Sequence, residues 1–354
     1  MTATAASSWF QSSNMSVFED AQVGALADEQ NEKFEQYVLR IDSAFWNAAS
    51  GGSMLRFVRE YFEVSELMLR TGFDNQVLRP LLQDALSRLI QTIGFARRRT
   101  REHFCEQGSA YKFEFDPKIF EHARCTVDKM EKAGTSNQDY DLSNSPEFLK
   151  WVQTTLQPII EGFTGMKVSS PLGELRYHHA EVHQHRWKDR YRRHDFGDFH
   201  LDQSHYAFPF IVYLDDVGKE NGPFCYIEGS DKEPMNYVLR AFHSAATHHC
   251  MLGGTEDKDY ATLAALPAVF RGGDRIGAFQ TKNIFEQREV QTLTGPAGFG
   301  LMFNGFHLLH TGGNPTSGMR KSLFVGFRYP RAKLDSMLGN MVSSLWAFRM
   351  RRLS

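Results

Sequence analysis

The sequence predicts an α+β protein: a helical first part, an antiparallel all-β sandwich or barrel after it, and a closing helix. Three observations carry this expectation. Apolar residues recur three and four apart through most of the first hundred residues, the period of a helix face. After Gly165 the pattern changes to short runs bounded by Gly, Pro, Asn and Asp, the punctuation of short strands. From residue 332 a helical stripe returns. The chain is 42% hydrophobic over 354 residues, which excludes a disordered polymer. A chain of this length can bury about three quarters of the surface its unfolded form exposes.

Taken in order, residues 28–47 place Phe34, Tyr37, Val38, Ile41, Ala44 and Phe45 on one side of a helix, which Ser50-Gly51-Gly52 ends. Residues 54–70 form a second helical stretch. Residues 74–105 form a third, with Leu78, Leu82, Ala85, Leu86, Leu89 and Ile93 on one side and Pro80 near the start, where proline is tolerated. The basic run from Arg97 to Arg101 reads as a solvated helix end, favourable to the helix dipole. Residues 108–145 are polar and irregular, with 137–145 a loop, and 146–162 return to a helix. Strand-like runs follow at 174–182, 205–214, 224–227, 275–279, 300–310 and 322–329. The last helix, 332–350, carries Leu334, Met337, Leu338, Met341, Val342 and Leu345 as the stripe expected to pack on the barrel or on a second subunit. This divides the chain into a helical region at 1–145, a β core at 146–330 and a C-terminal helix at 331–354.

Composition narrows the function. The 40 Lys+Arg nearly balance the 42 Asp+Glu, so nucleic-acid binding through bulk positive charge is excluded. Cys105, Cys125, Cys225 and Cys250 form no C-x-x-C pair and read as free thiols of a reducing compartment. Residues 1–17 lack the charged start and apolar run of a secretory leader, and no stretch of about 18 apolar residues occurs. A soluble, cytoplasmic protein is the expectation.

The chemistry is concentrated in Phe199-His200-Leu201-Asp202-Gln203. Residues two apart on a strand share a face, so His200 and Asp202 would project together. One imidazole and one carboxylate are two thirds of the facial triad that holds non-haem Fe(II) with three positions left open. Alone, H-x-D is a weak signal. Downstream, the strand-like run from Gly300 ends at His310, a Gly-Gly-Asn-Pro turn follows, and a returning strand carries Arg320. A hairpin would bring Arg320 beside the strand of His310, where a guanidinium can grip a carboxylate in a bidentate fork. His307 is a rival third ligand, but strand alternation and the turn after His310 favour His310.

This ordered set resembles the phytanoyl-CoA dioxygenase-like branch of the Fe(II)/2-oxoglutarate-dependent oxygenases, over residues 146–329. The residues that carry the resemblance are His200-x-Asp202, the apolar run 208–214, the segment from Asp215 to Ser230 that is similar to the family's E-N-G-P-L … P-G-S-H stretch, and the H-x-G-x-N-x-T … R run from His310 to Arg320. Two positions depart from the pattern: Glu228 replaces the usual proline before Gly-Ser, and Asp231 the usual histidine after it. Neither is a ligand position. The resemblance implies a double-stranded β-helix, or jelly roll, with Fe(II) on His200, Asp202 and His310 and the distal carboxylate of 2-oxoglutarate on Arg320. Ser322, two residues along the same strand face, would add a hydroxyl. It further implies use of O2 to hydroxylate, desaturate or cyclise a small-molecule metabolite, with 2-oxoglutarate decarboxylated to succinate. Related halogenases carry Gly or Ala where Asp202 stands, so the carboxylate points to oxidation without halide. Two other readings remain: an iron oxygenase that uses no 2-oxo acid, against which Arg320 argues, and a non-catalytic jelly-roll binding protein.

The remaining histidines and aromatics read more plainly. His178, His179, His183, His185 and His194 fit no zinc spacing, and alternation turns at most His178 or His179 to the cavity. His248-His249-Cys250 has no partner nearby in sequence and reads as loop or helix surface. The aromatic and basic run from Arg186 to Arg193 reads as a lid-like loop before the iron ligands, which favours an anionic substrate. Phe199, Tyr206, Phe208 and Phe279 are candidate pocket walls. The partners expected are a small-molecule substrate, neither nucleic acid nor membrane, and a second copy through the C-terminal helix.

Overall fold

The computed structural model describes residues 28–97, 110–179, 201–202, 208–230, 236–251, 266–270, 289–313, 315–327 and 329–351. The helices are α1 (Asp28–Ala49), α2 (Met54–Leu69), α3 (Asn75–Ala96), α4 (Glu121–Lys132), α5 (Pro146–Trp151), α6 (Gln157–Thr164), α7 (Tyr237–Met251) and α8 (Pro330–Met350). One wider turn, Val152–Leu156, joins α5 to α6, so the helix expected at 146–162 is continuous but underwound at its middle. The strands are β1 (Tyr111–Glu114), β2 (Asn137–Tyr140), β3 (Pro171–His179), β4 (Phe210–Tyr213), β5 (Phe224–Ile227), β6 (Val290–Leu293), β7 (Phe299–Met302), β8 (His310–Gly312) and β9 (Met319–Phe327).

The chain forms two compact units. One comprises Met1–Arg101, Pro234–Gln280 and Ala332–Ser354; the other comprises Glu102–Glu233 and Thr281–Arg331. The second unit holds all nine described strands, in a six-stranded sheet of order β1-β7-β4-β9-β3-β2 and a three-stranded sheet of order β6-β5-β8. Every pairing is antiparallel. β4 lies inside the larger sheet and all four of its residues are buried. Phe210 and Val212 face a layer built with Phe148, Val152, Leu156 and Ile160 of the α5–α6 helix and with Val127 of α4. Ile211 and Tyr213 face the opposite way, onto Phe224, Leu293, Leu301 and Phe303 between the two sheets. A strand covered on both faces reads as an unbroken apolar run, which is why 208–214 showed no alternation.

Three expectations are corrected. Residues 137–145, expected as a loop, contain the edge strand β2; its exposed Asn137, Gln138 and Asp139 lack the apolar alternation that marks a strand. Residues 300–310 are not one strand. β7 ends at Met302 in the larger sheet, and β8 begins at His310 in the smaller one. Asn304 turns the chain between them, accepting the N–H of Phe306 on its side chain and those of His307 and Leu308 on its carbonyl. Nor do His310 and Arg320 lie on the two arms of a hairpin, because β8 and β9 belong to different sheets. The run expected at 275–279 lies outside the described residues.

In the first unit α1 buries Phe34, Val38, Ile41, Phe45 and Ala48, the predicted stripe extended by one turn. Of the stripe expected to pack on the barrel or on a second subunit, Leu334, Met337, Leu338, Met341 and Leu345 face solvent, and Phe348 extends that exposed face. The packed face is the opposite one. Gly339 lies against Ser87 of α3, Asp335 against Gly94, and Trp346 is buried. Small residues let two helices approach closely, and that contact carries no hydrophobic period to read. Among the described residues no helix is long and apolar enough to cross a membrane.

Asp42 of α1 sits in this helical unit with its Oδ1 lacking a hydrogen-bond partner, and burial pushes its carboxyl up to about 6. The fold therefore keeps a proton that the unfolded chain releases near pH 4, so the contribution of Asp42 to stability falls as pH rises from about 4 to 6 and is level above. Asp42→Asn is expected to remove that slope and to raise stability at pH 7 by roughly 2–3 kcal/mol in urea unfolding. Equal slopes in the two proteins would show that Asp42 carries no such strain.

Candidate active site

The site grows from the two passages of chain between the sheets. In the first, residues 303–309 lead from β7 to β8, and Gly305 accepts the N–H of Asp202 on its carbonyl at 2.7 Å. Asp202 lies outside any strand among the described residues, and this bond sets its backbone. A Cβ built on Gly305 would overlap the Asp202 carboxylate, so only glycine admits that side chain here. His200 lies outside the described residues, as do Phe199, Tyr206, Phe279, the Arg186–Arg193 run and His183, His185 and His194.

His310 opens β8 and is buried. Its ring packs against both Phe224, with centroids 5.6 Å apart, and Phe303, at 4.6 Å, which themselves pack at 4.4 Å. Nδ1 is 2.8 Å from the Leu308 carbonyl oxygen, which can only accept, so Nδ1 carries the hydrogen. In that tautomer Nε2 carries the ring's lone pair, and it faces Asp202 Oδ2 at 3.8 Å. Two ligand bonds of about 2.1 Å sum to about 4.2 Å, so one metal ion can touch both atoms. The ring support at Nδ1 is the usual way a metal-binding imidazole is oriented. Ser230, from the Gly-Ser segment, accepts the N–H of Leu309 at 3.0 Å and so pins the residue before His310. That serine therefore has its own structural task, and the departures at Glu228 and Asp231 leave it intact.

The second passage, residues 313–318, leads from β8 to β9 and is clamped by the Glu220-Asn221-Gly222-Pro223 loop. Gly313 N–H donates to the Pro223 carbonyl and Thr316 N–H to the Glu220 carbonyl. Gly222, in the left-handed region at φ 68°, turns its own carbonyl onto Arg320. Arg320 is buried, and its Nη1 donates to the Gly222 and Gly313 carbonyls. Burial lowers its pKa from the ordinary arginine value. Among the described residues no carboxylate pairs with it. Its Nη2 comes within 3.2 Å of where a Cβ of Gly312 would lie. Gly312 is two residues beyond His310 on β8, about 6.6 Å along the strand.

Ser322 shares the face of Arg320 on β9, is fully buried, and its Oγ has no hydrogen-bond partner. The same face of β3 presents Arg176, which the sequence reading passed over. Arg176 stands opposite Ser322 in the β3–β9 register, its guanidinium carbon 3.6 Å from the Phe324 ring centre and its Nε 2.8 Å from Glu174. The polar alternation Glu174, Arg176, His178 was the available signal. His178 is opposite Arg320 in that register, so of the pair His178 and His179 it is His178 that shares this face. Phe208, expected as a pocket wall, stacks instead on Phe163 in the layer between sheet and helices. Phe224 and Phe303 line the imidazole in its place.

The donor set fits a divalent metal and an anion. Imidazole and carboxylate present lone pairs to one point, and on β9 a desolvated guanidinium reaches Gly312 of β8, with an orphaned hydroxyl two residues on from it. No protein-family model matches the chain, and no curated protein matches it. Among solved structures it is similar to the non-haem α-ketoglutarate-dependent carbocyclase SnoK from nogalamycin biosynthesis, at 12% identity over 64% of this chain and 81% of that one, TM-score 0.35. It is similar also to HygX from Streptomyces hygroscopicus with iron bound, at 13% over 66% and 87%, TM-score 0.34. EctD from S. alaskensis with bound Fe matches at 12% over 64% and 75%, also with TM-score 0.34. Likenesses this slight carry no argument about activity; the site's own residues must do so.

Gly305→Ala is expected to displace the Asp202 carboxylate and to weaken divalent-metal binding there by about 10–100-fold in equilibrium dialysis, with the melting temperature little changed. Unaltered affinity would separate Gly305 and Asp202 from the metal.

Proposed function

We propose that the chain is a non-haem Fe(II)/2-oxoglutarate-dependent oxygenase acting on an unactivated C–H bond of a small-molecule metabolite. The observation that carries this reading is the approach of His310 Nε2 to Asp202 Oδ2, with Arg320 and Ser322 buried beyond it on the same side. The strand orders, six in one antiparallel sheet and three in the other, support a jelly roll, whose two sheets enclose such a site. Asp202 and His310 would hold the iron, with His200 as the third ligand of the facial triad.

Each residue has a definable task. Leu308 keeps the hydrogen of His310 on Nδ1, so Nε2 stays a ligand. Arg320 and Ser322 offer donors to the distal carboxylate of 2-oxoglutarate, where a buried guanidinium gains most from an anion. Phe224 and Phe303 keep water from the ring of His310. When bound, Fe(II), 2-oxoglutarate and O2 supply the oxidation, with release of succinate and CO2. The protein's share is orientation and exclusion of water.

Anaerobic addition of Fe(II) and 2-oxoglutarate is expected to give a metal-to-ligand charge-transfer band, lost in His310→Ala. In Arg320→Ala the 2-oxoglutarate concentration that half-develops the band is expected to rise by at least about 30-fold. Bound iron without the band would point to the oxygenase that uses no 2-oxo acid; no metal-dependent O2 uptake with any tested co-substrate would point to the binding protein.

A second copy is the proposed cover for the exposed face of α8. Its six exposed apolar residues recur three and four apart, the seam of a helix pair, and a two-fold axis matches such a seam to itself. Met337→Glu with Met341→Glu is expected to convert a sedimenting dimer to a monomer without altering the iron spectrum. A wild-type monomer at all concentrations would remove the proposal.

A further inference from the structure

We propose that Asp84, His248 and His249 form a second divalent-metal site, of the zinc class, that ties α7 to α3. It lies in the helical unit, and it is independent of the oxygenase reading. His248 and His249 are consecutive on α7, and the sequence places no partner near them. Folding supplies one from α3: Asp84 Oδ2 lies 3.0 Å from His248 Nδ1 and 3.6 Å from His249 Nε2. The three ligand atoms all fall within 4.8 Å of one another. Ligands held about 2.0–2.1 Å from a tetrahedral zinc stand about 3.3 Å apart, a value these two separations bracket. The two imidazole nitrogens, within 4.8 Å of each other, would draw together on the ion.

The carboxylate is prepared for the task. Arg88, one turn along α3, grips it from the far side, Nε on Oδ1 at 3.1 Å and Nη2 on Oδ2 at 3.0 Å. Burial alone would raise the Asp84 pKa; His249, Arg88 and His248 reverse that and hold the carboxyl far below its usual range, so it is an anion at neutral pH. Without a metal, Arg88 Nη2 and His248 Nδ1 each lie 3.0 Å from Oδ2, and His249 Nε2 stands off at 3.6 Å. An ion between Oδ2 and the two imidazoles would make both rings ligands. Imidazole and carboxylate are ligands that zinc accepts, and three of them leave the fourth position to water. The His248 side chain is 48% exposed, so the ion can enter from solvent.

The experiment uses zinc chloride and the full chain carrying Asp202→Ala and His310→Ala, so that the proposed iron site does not contribute. Adding His248→Ala and His249→Ala is expected to remove one equivalent of zinc in equilibrium dialysis and the zinc-dependent rise in melting temperature. Asp84→Asn, which keeps the shape of the side chain, is expected to weaken zinc binding at least as much as the roughly 10–100-fold loss that follows removal of a ligand's support. Cobalt(II) in place of zinc is expected to show tetrahedral d–d absorption that the histidine variant lacks. Circular dichroism establishes that each variant is folded. Equal zinc binding with and without the two histidines, or no zinc bound by the Asp202→Ala/His310→Ala chain, overturns the proposal. Neither result bears on the charge-transfer band of the wild type, so the two readings fail separately.

Discussion

Phe210, Ile211, Val212 and Tyr213 are all buried, so β4 needs an apolar layer on each side. Helices α4 to α6 supply one layer and the three-stranded sheet supplies the other. Each strand beside β4 must then divide its residues between the two. On β9, Leu323 and Val325 go to the helices, while Arg320, Ser322 and Phe324 go between the sheets. That division turns a guanidinium inward and strips it of water. The candidate site is thus a consequence of how the sheet is covered.

A buried cation is costly unless an anion or a set of acceptors meets it. Arg320 meets two backbone carbonyls, Gly222 and Gly313, both on loops whose glycines allow a close approach. Carbonyl dipoles satisfy the N–H groups without neutralising the charge. Lys321, the next residue, faces the other way and is treated differently: Asp128, Glu131 and Asp215 surround it, and their bonds outweigh burial to raise its pKa. The contrast between two neighbouring cations is in their neutralisation: the outer one is paired with carboxylates and the inner one only with carbonyls.

The helical unit shows the same logic on a smaller scale. Its α3 and α7 meet at Asp84, Arg88, His248 and His249, whose chemistry depends on residues 164 apart in the chain. Its α8 packs through Gly339, Asp335 and Trp346, and leaves its most hydrophobic face in solvent. Hydrophobic period identified the helix but not the face that packs within the chain, because a close contact through glycine buries backbone rather than large side chains.

The sequence by itself determined five helical stretches, most of the strands, and the candidates Asp202, His310 and Arg320, because local period and turn residues act over a few positions; it missed α4 and α7, and Ser322 came only with the family resemblance. It also selected His310 over His307 by the turn that follows. Only the tertiary structure decided that 300–310 breaks at Asn304, that β8 and β9 lie in different sheets, and that Arg176 joins the inner face. It alone brought Asp84 to His248 and His249. The physical reason is common to all of these. Periodicity reports which residues share a face of one element, whereas a site needs to know which element that face meets, and the meeting is set by burial across long stretches of chain.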